Sequence, residues 1–189
     1  MTGRSDRRVI PGALCAMFMT LLTGCSETGP QAPASKDSSM TVQASHQQVH
    51  DIFEAIKSVV GEDGWTSGTE SEWNDCSSNG GSGAQFMLTA VRKQQLAGTP
   101  DEVTRQVADR LESKLGMRGI RVQHDRTFSP PRTVIGYPNG YNMGTASDGY
   151  GLQFQTDPEF VGIIIYGHCV PGEVPDLGTP MNPRPTDFP

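Results

Sequence analysis

The sequence predicts an α+β domain in which two helices pack on one face of a mostly antiparallel sheet, with one disulfide. Two segments carry apolar residues at helical spacing, and several shorter segments alternate apolar with polar residues as half-buried strands do. The order is helix, strand, helix and then several strands, without the repeated βαβ rhythm that builds a parallel sheet. We therefore expect one layer of helices over one sheet.

The first predicted helix runs from about 45 to 60 and ends at Gly61 or Gly64. Its apolar residues recur three or four positions apart and form a single stripe. The stripe consists of Val49, Ile52, Phe53, Ile56, Val59 and Val60.

The second predicted helix has a clear start signal. Thr99 is a suitable N-cap, Pro100 fits the first helical position, and Glu102 completes a capping box with Thr99. Gly116 is placed to end the helix. Its buried face is made of Val103, Val107, Ala108, Leu111 and Leu115.

Short apolar or alternating runs predict the strands. The last of them is β-branched and nearly continuous, as a central strand should be. Asp157–Pro158–Glu159 precedes it and predicts a hairpin turn. The predicted strands cover residues 85–92, 120–123, 133–137, 150–155 and 161–166.

Two segments are interpreted as connections. Gly80–Ala84 lacks the last glycine of a nucleophile elbow and the lysine of a phosphate loop, so it predicts a mobile connector. Acidic residues gather around Trp65 and Trp73 without the spacing of an EF-hand calcium loop, which predicts a solvated acidic loop. These acidic residues are Glu62, Asp63, Glu70, Glu72 and Asp75.

Residues 1–24 predict a lipoprotein signal peptide. An arginine-rich start precedes a short apolar run that cannot span a hydrocarbon core of ~30 Å. The run ends at Leu22–Thr23–Gly24–Cys25, which resembles the lipobox of bacterial lipoproteins. This resemblance implies that Cys25 is acylated and holds the chain on the extracytoplasmic face of the cell membrane. An ordinary secretory signal is the alternative.

Composition divides the rest of the chain. Residues 25–41 lack apolar periodicity and predict a lipidated cysteine followed by a flexible tether. Residues 42–170 form the predicted α+β domain, and the proline-rich residues 171–189 predict an extended tail.

The charge excludes one class of partner. The chain has 15 basic and 21 acidic residues, of which three arginines and Asp6 precede Cys25. The remainder therefore carries 12 positive and 20 negative charges, a net charge of -8. Phosphate backbones repel such a domain, so we expect no nucleic-acid partner.

Two cysteines remain in the predicted domain, Cys76 and Cys169. An exported, oxidising location favours a disulfide between them. A redox function is the alternative, but the sequence has no Cys-x-x-Cys pair.

Three patterns that involve histidines make an enzymatic function an alternative. His46 and His50 lie one helical turn apart and could share a metal, although the sequence shows no third ligand. We interpret them as two polar residues in an exposed first turn, and we expect neither a metal nor another cofactor. His124 lies beside Asp125 and His168 beside Cys169, which suggests a His-Asp or a Cys-His catalytic pair. A disulfide at Cys169 removes the nucleophile, and a histidine at a strand end is commonly a polar terminus, so we interpret both histidines as structural.

Tyrosines and amides cluster late in the chain. Aromatic rings with nearby amides bind sugars or peptides, because rings bury area at small entropic cost. The alternative is a hairpin loop, turned at Pro138–Gly140, whose tyrosines cover the sheet edge. The candidate binding residues are Tyr137, Asn139, Tyr141 and Tyr150, with Asn142 beside them.

Several of these features together resemble the LppA-type lipoproteins of mycobacteria and related actinobacteria. The resemblance implies a cell-envelope lipoprotein without an established biochemical activity, an anchor at Cys25 and a pair formed by Cys76 and Cys169. The residues that carry it are Leu22–Cys25, Trp65 with its acidic stretch, Asn74–Cys76, Pro100–Glu102, Gly149–Phe154, Gly167–Cys169 and the proline-rich tail.

We therefore expect a membrane-anchored, non-catalytic binding module for an envelope component or a protein partner. The alternatives are a small envelope hydrolase, a metal-dependent enzyme, and an immunity or decoy lipoprotein.

Overall fold

The fold is known from a computed structural model that describes residues 40–66, 70–78, 81–138, 140, 146 and 148–184. This part of the chain forms two helices and a seven-stranded sheet, all of whose paired strands are antiparallel. The strand order is β1-β2-β6-β5-β4-β3, with β7 also pairing β2. The predicted α+β class is confirmed. The elements are α1 (Val42–Val60), β1 (Glu70–Ser78), β2 (Gly81–Arg92), α2 (Pro100–Leu115), β3 (Val122–Asp125), β4 (Arg132–Tyr137), β5 (Gly151–Asp157), β6 (Phe160–Tyr166) and β7 (Val170–Pro171).

Both helices lie on the same face of the sheet, as predicted. Helix α1 contacts β2 and β6, and α2 contacts β3, β4 and β5. Each strand presents alternate residues to the helices, so one continuous apolar core forms between the layers. Its most deeply buried members are Val49, Ile52, Ile56, Leu88, Val107, Leu111, Ile135, Leu152, Phe154, Ile163 and Ile165.

The helix termini follow the capping signals. Helix α1 begins at Val42, earlier than predicted, because the Thr41 hydroxyl accepts a hydrogen bond of 3.1 Å from Ala44 N. The capping box of Thr99 and Glu102 is formed, and Gly116 ends α2 with φ 66°, as predicted. In the described part of the chain, neither helix is both long and apolar enough to cross a membrane.

Glu70, Glu72 and Asp75 belong to an edge strand, so their interpretation as a loop is wrong, whereas Glu62 and Asp63 lie in the connection after α1. Strand β1 pairs along its whole length with β2, and the register sets Trp73 opposite Phe86. The Trp73 side chain packs against the core, whereas Glu72 and Asn74 are exposed. Charged side chains are common on edge strands, where they oppose pairing with another chain.

The remaining strands lie close to their predicted positions. The changes are a longer β2, a later start of β3, and a short strand β7 at the start of the predicted tail. Residues 81–84 belong to β2 rather than to a connector, and β3 begins at Val122 rather than at 120. The hairpin turn at Pro158 and Glu159 is formed between β5 and β6. Pro171, the first residue of the predicted tail, pairs with Gly83 as part of β7.

Candidate functional site

Two of the predicted binding tyrosines come together at one end of the sheet. Tyr137 is the last residue of β4 and pairs with Leu152, so it lies near Tyr150, which directly precedes β5. The ring centroids are 6.1 Å apart, and the planes meet at 84°. This is the edge-to-face arrangement that aromatic quadrupoles favour. The other two predicted residues, Asn139 and Tyr141, lie outside the described residues.

A histidine and a carboxylate extend this pair. The imidazole of His168 stacks on Tyr150, with centroids 4.1 Å apart and planes 7° from parallel. Nδ1 of His168 is hydrogen bonded to Oδ2 of Asp148. We call Tyr137, Asp148, Tyr150 and His168 the tyrosine–histidine cluster. Tyr150 is 8 % exposed and the His168 side chain 26 %, so the imidazole is partly accessible at the surface.

Burial and hydrogen bonding set the charges of this cluster. Burial acts to raise the pKa of Asp148, but hydrogen bonds from His168 and from Tyr150 N outweigh it and lower that pKa below its ordinary value. Burial, with smaller contributions from Tyr137 and Asp148, raises the pKa of Tyr150 to about 12. At neutral pH the cluster therefore combines an ionised carboxylate with a neutral phenol.

The segment that carries His168 is held by its backbone. Gly167 N donates to Phe86 O at 2.8 Å, and the Ser45 hydroxyl donates to His168 O at 3.1 Å. A Cβ at position 167 would lie 2.8 Å from the Ser45 oxygen, so the close approach requires glycine. The imidazole is thereby positioned from both α1 and β2.

The predicted disulfide is confirmed and fixes the other side of this segment. It joins Cys76 in β1 to Cys169, with the two Cα atoms 6.0 Å apart. Gly83 lies beneath the bridge, where a Cβ would be 3.2 Å from both sulfur atoms. Because the sulfur of Cys169 is bonded to Cys76, it cannot act as a thiolate beside His168.

A second aromatic cluster forms where α1 meets β1 and β2. We call His46, His50, Trp73 and Phe86 the histidine–tryptophan cluster. His46 is stacked on Trp73 with centroids 5.6 Å apart and lies 4.4 Å from Phe86. The Nε2 atoms of His46 and His50 are 3.2 Å apart. The interpretation of these histidines as exposed polar residues is wrong, because both are half-buried against aromatic rings.

Both imidazoles of this cluster are neutral at neutral pH. Burial, with a smaller contribution from His50, lowers the pKa of His46 to about 4. Burial also lowers the pKa of His50, and the nearby Glu54 and Asp51 carboxylates oppose this effect only in part. Each ring therefore retains one unprotonated nitrogen.

The third predicted histidine has a different environment. Nε2 of His124 lies 3.0 Å from Oδ1 of Asp101 in the first turn of α2, and Thr133 donates to the same oxygen at 2.7 Å. Asp125, its sequence neighbour, accepts a hydrogen bond from Thr127 N at 2.9 Å. The His124 side chain is 53 % exposed, so this contact links α2 to the sheet at the surface.

One recess lies beside β3 and the end of β4, where Gly136 and Pro138 help to line it. It has a volume of about 290 Å³ and polar walls to which Arg121 and Gln123 contribute side chains. Gln123 pairs with Val134 in the sheet, whereas the neighbouring Ile135 faces the core, so Gln123 points to the face opposite the helices. The recess and the tyrosine–histidine cluster therefore lie on opposite faces.

Sequence reasoning missed the roles of Asp148 and His168 in the cluster. They are separated by 20 positions and belong to no common motif. The Asp148–Gly149 pair is the sequence signal that predicts a turn here. In the structure the Asp148 carboxylate accepts a hydrogen bond from Tyr150 N, two residues further on.

Comparison with known proteins identifies no family for this chain. No family model matches it, and no curated protein matches it. The structure resembles the crystal structure of a DUF4853 family protein from Actinomyces odontolyticus, with 16 % identity, a TM-score of 0.46, and 70 % of each chain covered. A likeness at this level transfers neither a fold nor a function.

Proposed function

We propose that the chain is a bacterial cell-envelope lipoprotein of the LppA type, anchored in the membrane through an acylated Cys25. Its α+β domain is a non-catalytic binding module for an envelope component or a protein partner. The lipobox-like Leu22–Cys25 supports the anchor, and Cys25 itself lies outside the described residues. A disulfide between Cys76 and Cys169 suits an exported domain.

The tyrosine–histidine cluster is the observation that carries the binding function. Tyr137 and the His168 imidazole are partly exposed, whereas Tyr150 is buried and supports the stacked imidazole. A partly exposed aromatic ring beside a polar imidazole suits the apolar faces and hydroxyl groups of sugars or the side chains of a peptide. The stack of His168 on Tyr150 and the bond to Asp148 hold the imidazole in one orientation. A surface ordered before binding loses little conformational entropy when a ligand docks.

The same cluster favours a hydrolase as the second candidate. A histidine oriented by a carboxylate through Nδ1 is the base-and-orienter half of a catalytic triad. The sulfur next to it is held in the disulfide, and the Tyr150 phenol, with its pKa of about 12, is not a base at neutral pH. Both observations support binding over catalysis.

The test places a photo-crosslinking phenylalanine analogue at position 137 of the full chain in intact cells. The matched control places it at Tyr166, a half-buried tyrosine next to the core residue Ile165 and therefore on the opposite face of the sheet. We expect a discrete adduct from position 137 that is absent at position 166 and lost when His168→Gln is added.

Two results would contradict the proposal. Identical adducts from positions 137 and 166, or no adduct from 137, would mean that the cluster is not the binding surface. Turnover of ester, peptide or glycan substrates by the purified chain, abolished by His168→Gln, would establish the hydrolase instead.

A further inference from the structure

The histidine–tryptophan cluster contains two metal-ligating nitrogens that the proposed binding function does not use. His46 and His50 lie one turn apart on α1, and their Nε2 atoms face each other at 3.2 Å. Histidines at this spacing on one helix face can hold a single metal ion, as they do in zinc proteases.

The separation of the two nitrogens matches a shared metal. A zinc ion binds imidazole nitrogen at about 2.0–2.1 Å in a tetrahedron, which places two such ligands about 3.3 Å apart. The observed 3.2 Å lies within about 0.2 Å of that spacing. The pair can therefore accept a tetrahedral ion as it stands, whereas the square arrangement of Cu(II) sets adjacent nitrogens about 2.8 Å apart and requires the two rings to approach by about 0.4 Å.

The surroundings hold both rings in this arrangement. His46 contacts both Trp73 and Phe86, whose rings also contact each other, and His50 lies 5.5 Å from Phe86. Side chains locked by packing lose little rotamer freedom on binding a metal.

Nearby charge also favours a cation. The carboxylates of Asp51 and Glu54 act electrostatically on His50, and the Lys57 ammonium opposes them. The Glu54 carboxylate is ion-paired with the Lys57 ammonium at 2.7 Å, so Asp51 supplies the remaining negative charge that acts on His50. Asp51 is held by a hydrogen bond of 2.8 Å from Gln47.

We propose that His46 and His50 form a two-imidazole site for a divalent transition metal that accepts tetrahedral coordination, as zinc does, with Cu(II) as the probe that binds imidazole most tightly. Imidazole suits Cu(II), Ni(II) and Zn(II), and affinity at a given nitrogen site is highest for Cu(II). One ring donates its Nε2 proton to the other when no metal is bound. When the metal binds, the donor ring changes to the tautomer that carries its proton on Nδ1. Both Nε2 atoms can then bind the metal, and no net proton is released.

The site leaves coordination positions open. Within the described residues, no three His, Cys, Asp or Glu side chains are placed to hold one metal together. As far as the described residues go, the other positions are open to water or to an external donor, as in metal sites that bind a further ligand.

The test titrates the detergent-solubilised full chain with Cu(II) and follows tryptophan fluorescence at neutral pH. The ring of Trp73 stacks on His46, so a bound paramagnetic ion should quench it. We expect saturable quenching with one ion per chain. His50→Gln should weaken binding by roughly an order of magnitude or more, because one of two imidazoles is lost. His124→Gln, at the exposed histidine, should leave the titration unchanged.

A second measurement needs no variant. The electron paramagnetic resonance spectrum of the wild-type Cu(II) complex should show two equatorial imidazole nitrogens. Equal affinity in wild type and His50→Gln, or a spectrum with fewer than two imidazole ligands, would overturn the proposal.

Discussion

The imidazole of His46 lies nearly parallel to the indole of Trp73, with 10° between the planes and 5.6 Å between the centroids. This contact joins helix α1 to the edge strand β1. Nε1 of the same indole donates to Met181 O at 2.7 Å, so the C-terminal segment meets the helix and the edge strand at one residue. The stack thus couples the protonation of a histidine to the packing of three parts of the chain.

The first prediction concerns acid stability. The folded-state pKa of His46, about 4, lies below its ordinary value of 6.5, so the unfolded chain takes up a proton first as the pH falls. Stability should therefore be lost between these values, by about 1–2 kcal/mol once solvent screening of a half-exposed ring is allowed for. His46→Phe keeps the ring packing and removes the titration.

Urea unfolding at neutral pH and midway between the two pKa values measures this effect. The free energy of unfolding should fall more in the wild type than in His46→Phe. An equal fall in both proteins would show that the His46 ring does not contribute to acid sensitivity.

The second prediction concerns the disulfide. Cys76 and Cys169 are separated by 93 positions, and closing such a loop stabilises the fold by about 4–5 kcal/mol in the chain-entropy model. The double variant Cys76→Ala, Cys169→Ala should therefore lose about 2–5 kcal/mol of unfolding free energy. The reduced wild-type protein is the matched comparison and should unfold at a urea concentration similar to that of the double variant. An unchanged midpoint after reduction would contradict the account.

The third prediction concerns the start of α2. The Thr99 hydroxyl accepts a hydrogen bond from Glu102 N at 3.3 Å, and the Glu102 carboxylate accepts from Thr99 N at 3.0 Å. Thr99→Ala should cost about 1 kcal/mol of unfolding free energy, while Thr99→Ser, which keeps the hydroxyl, should cost much less. Urea unfolding of the three proteins provides the measurement. Equal losses in both variants would assign the effect to something other than the cap.

Helix α2 also shows what the sequence can predict. Its boundaries follow from local chemistry, since Thr99 and Glu102 cap its start and Gly116 ends it.

Strand β1 could not be predicted in this way. Its sequence is mostly acidic and polar, and one apolar side chain, Trp73, packs against the core. Pairing with β2 makes it a strand, and that partner is not visible in the local pattern.

The candidate site was predictable only in part, because residue types are visible in the sequence and tertiary contacts are not. The tyrosines could be recognised by type, and the β4–β5 register then brings Tyr137 and Tyr150 together. The bond between His168 and Asp148 depends on where β6 ends relative to the loop before β5. No spacing rule connects residues that only the tertiary fold brings together.

The fourth prediction concerns the C-terminal segment. Trp73→Phe removes the hydrogen bond to Met181 O and should speed hydrogen exchange and proteolysis in residues 176–182. Trp65→Phe is the matched control, because that indole donates to Gly61 O at 2.9 Å instead. Mass spectrometry of both variants measures exchange by segment. Equal protection of residues 176–182 in the two variants would mean that the Trp73 bond does not hold the segment.

The most direct test of the account is the intact mass of the native protein, extracted from membranes with detergent, before and after reduction. We expect the mass of residues 25–189 plus acyl chains, increasing by about two hydrogen atoms on reduction. A mass without lipid would contradict the anchored lipoprotein, and an unchanged mass on reduction would contradict the bridge between Cys76 and Cys169.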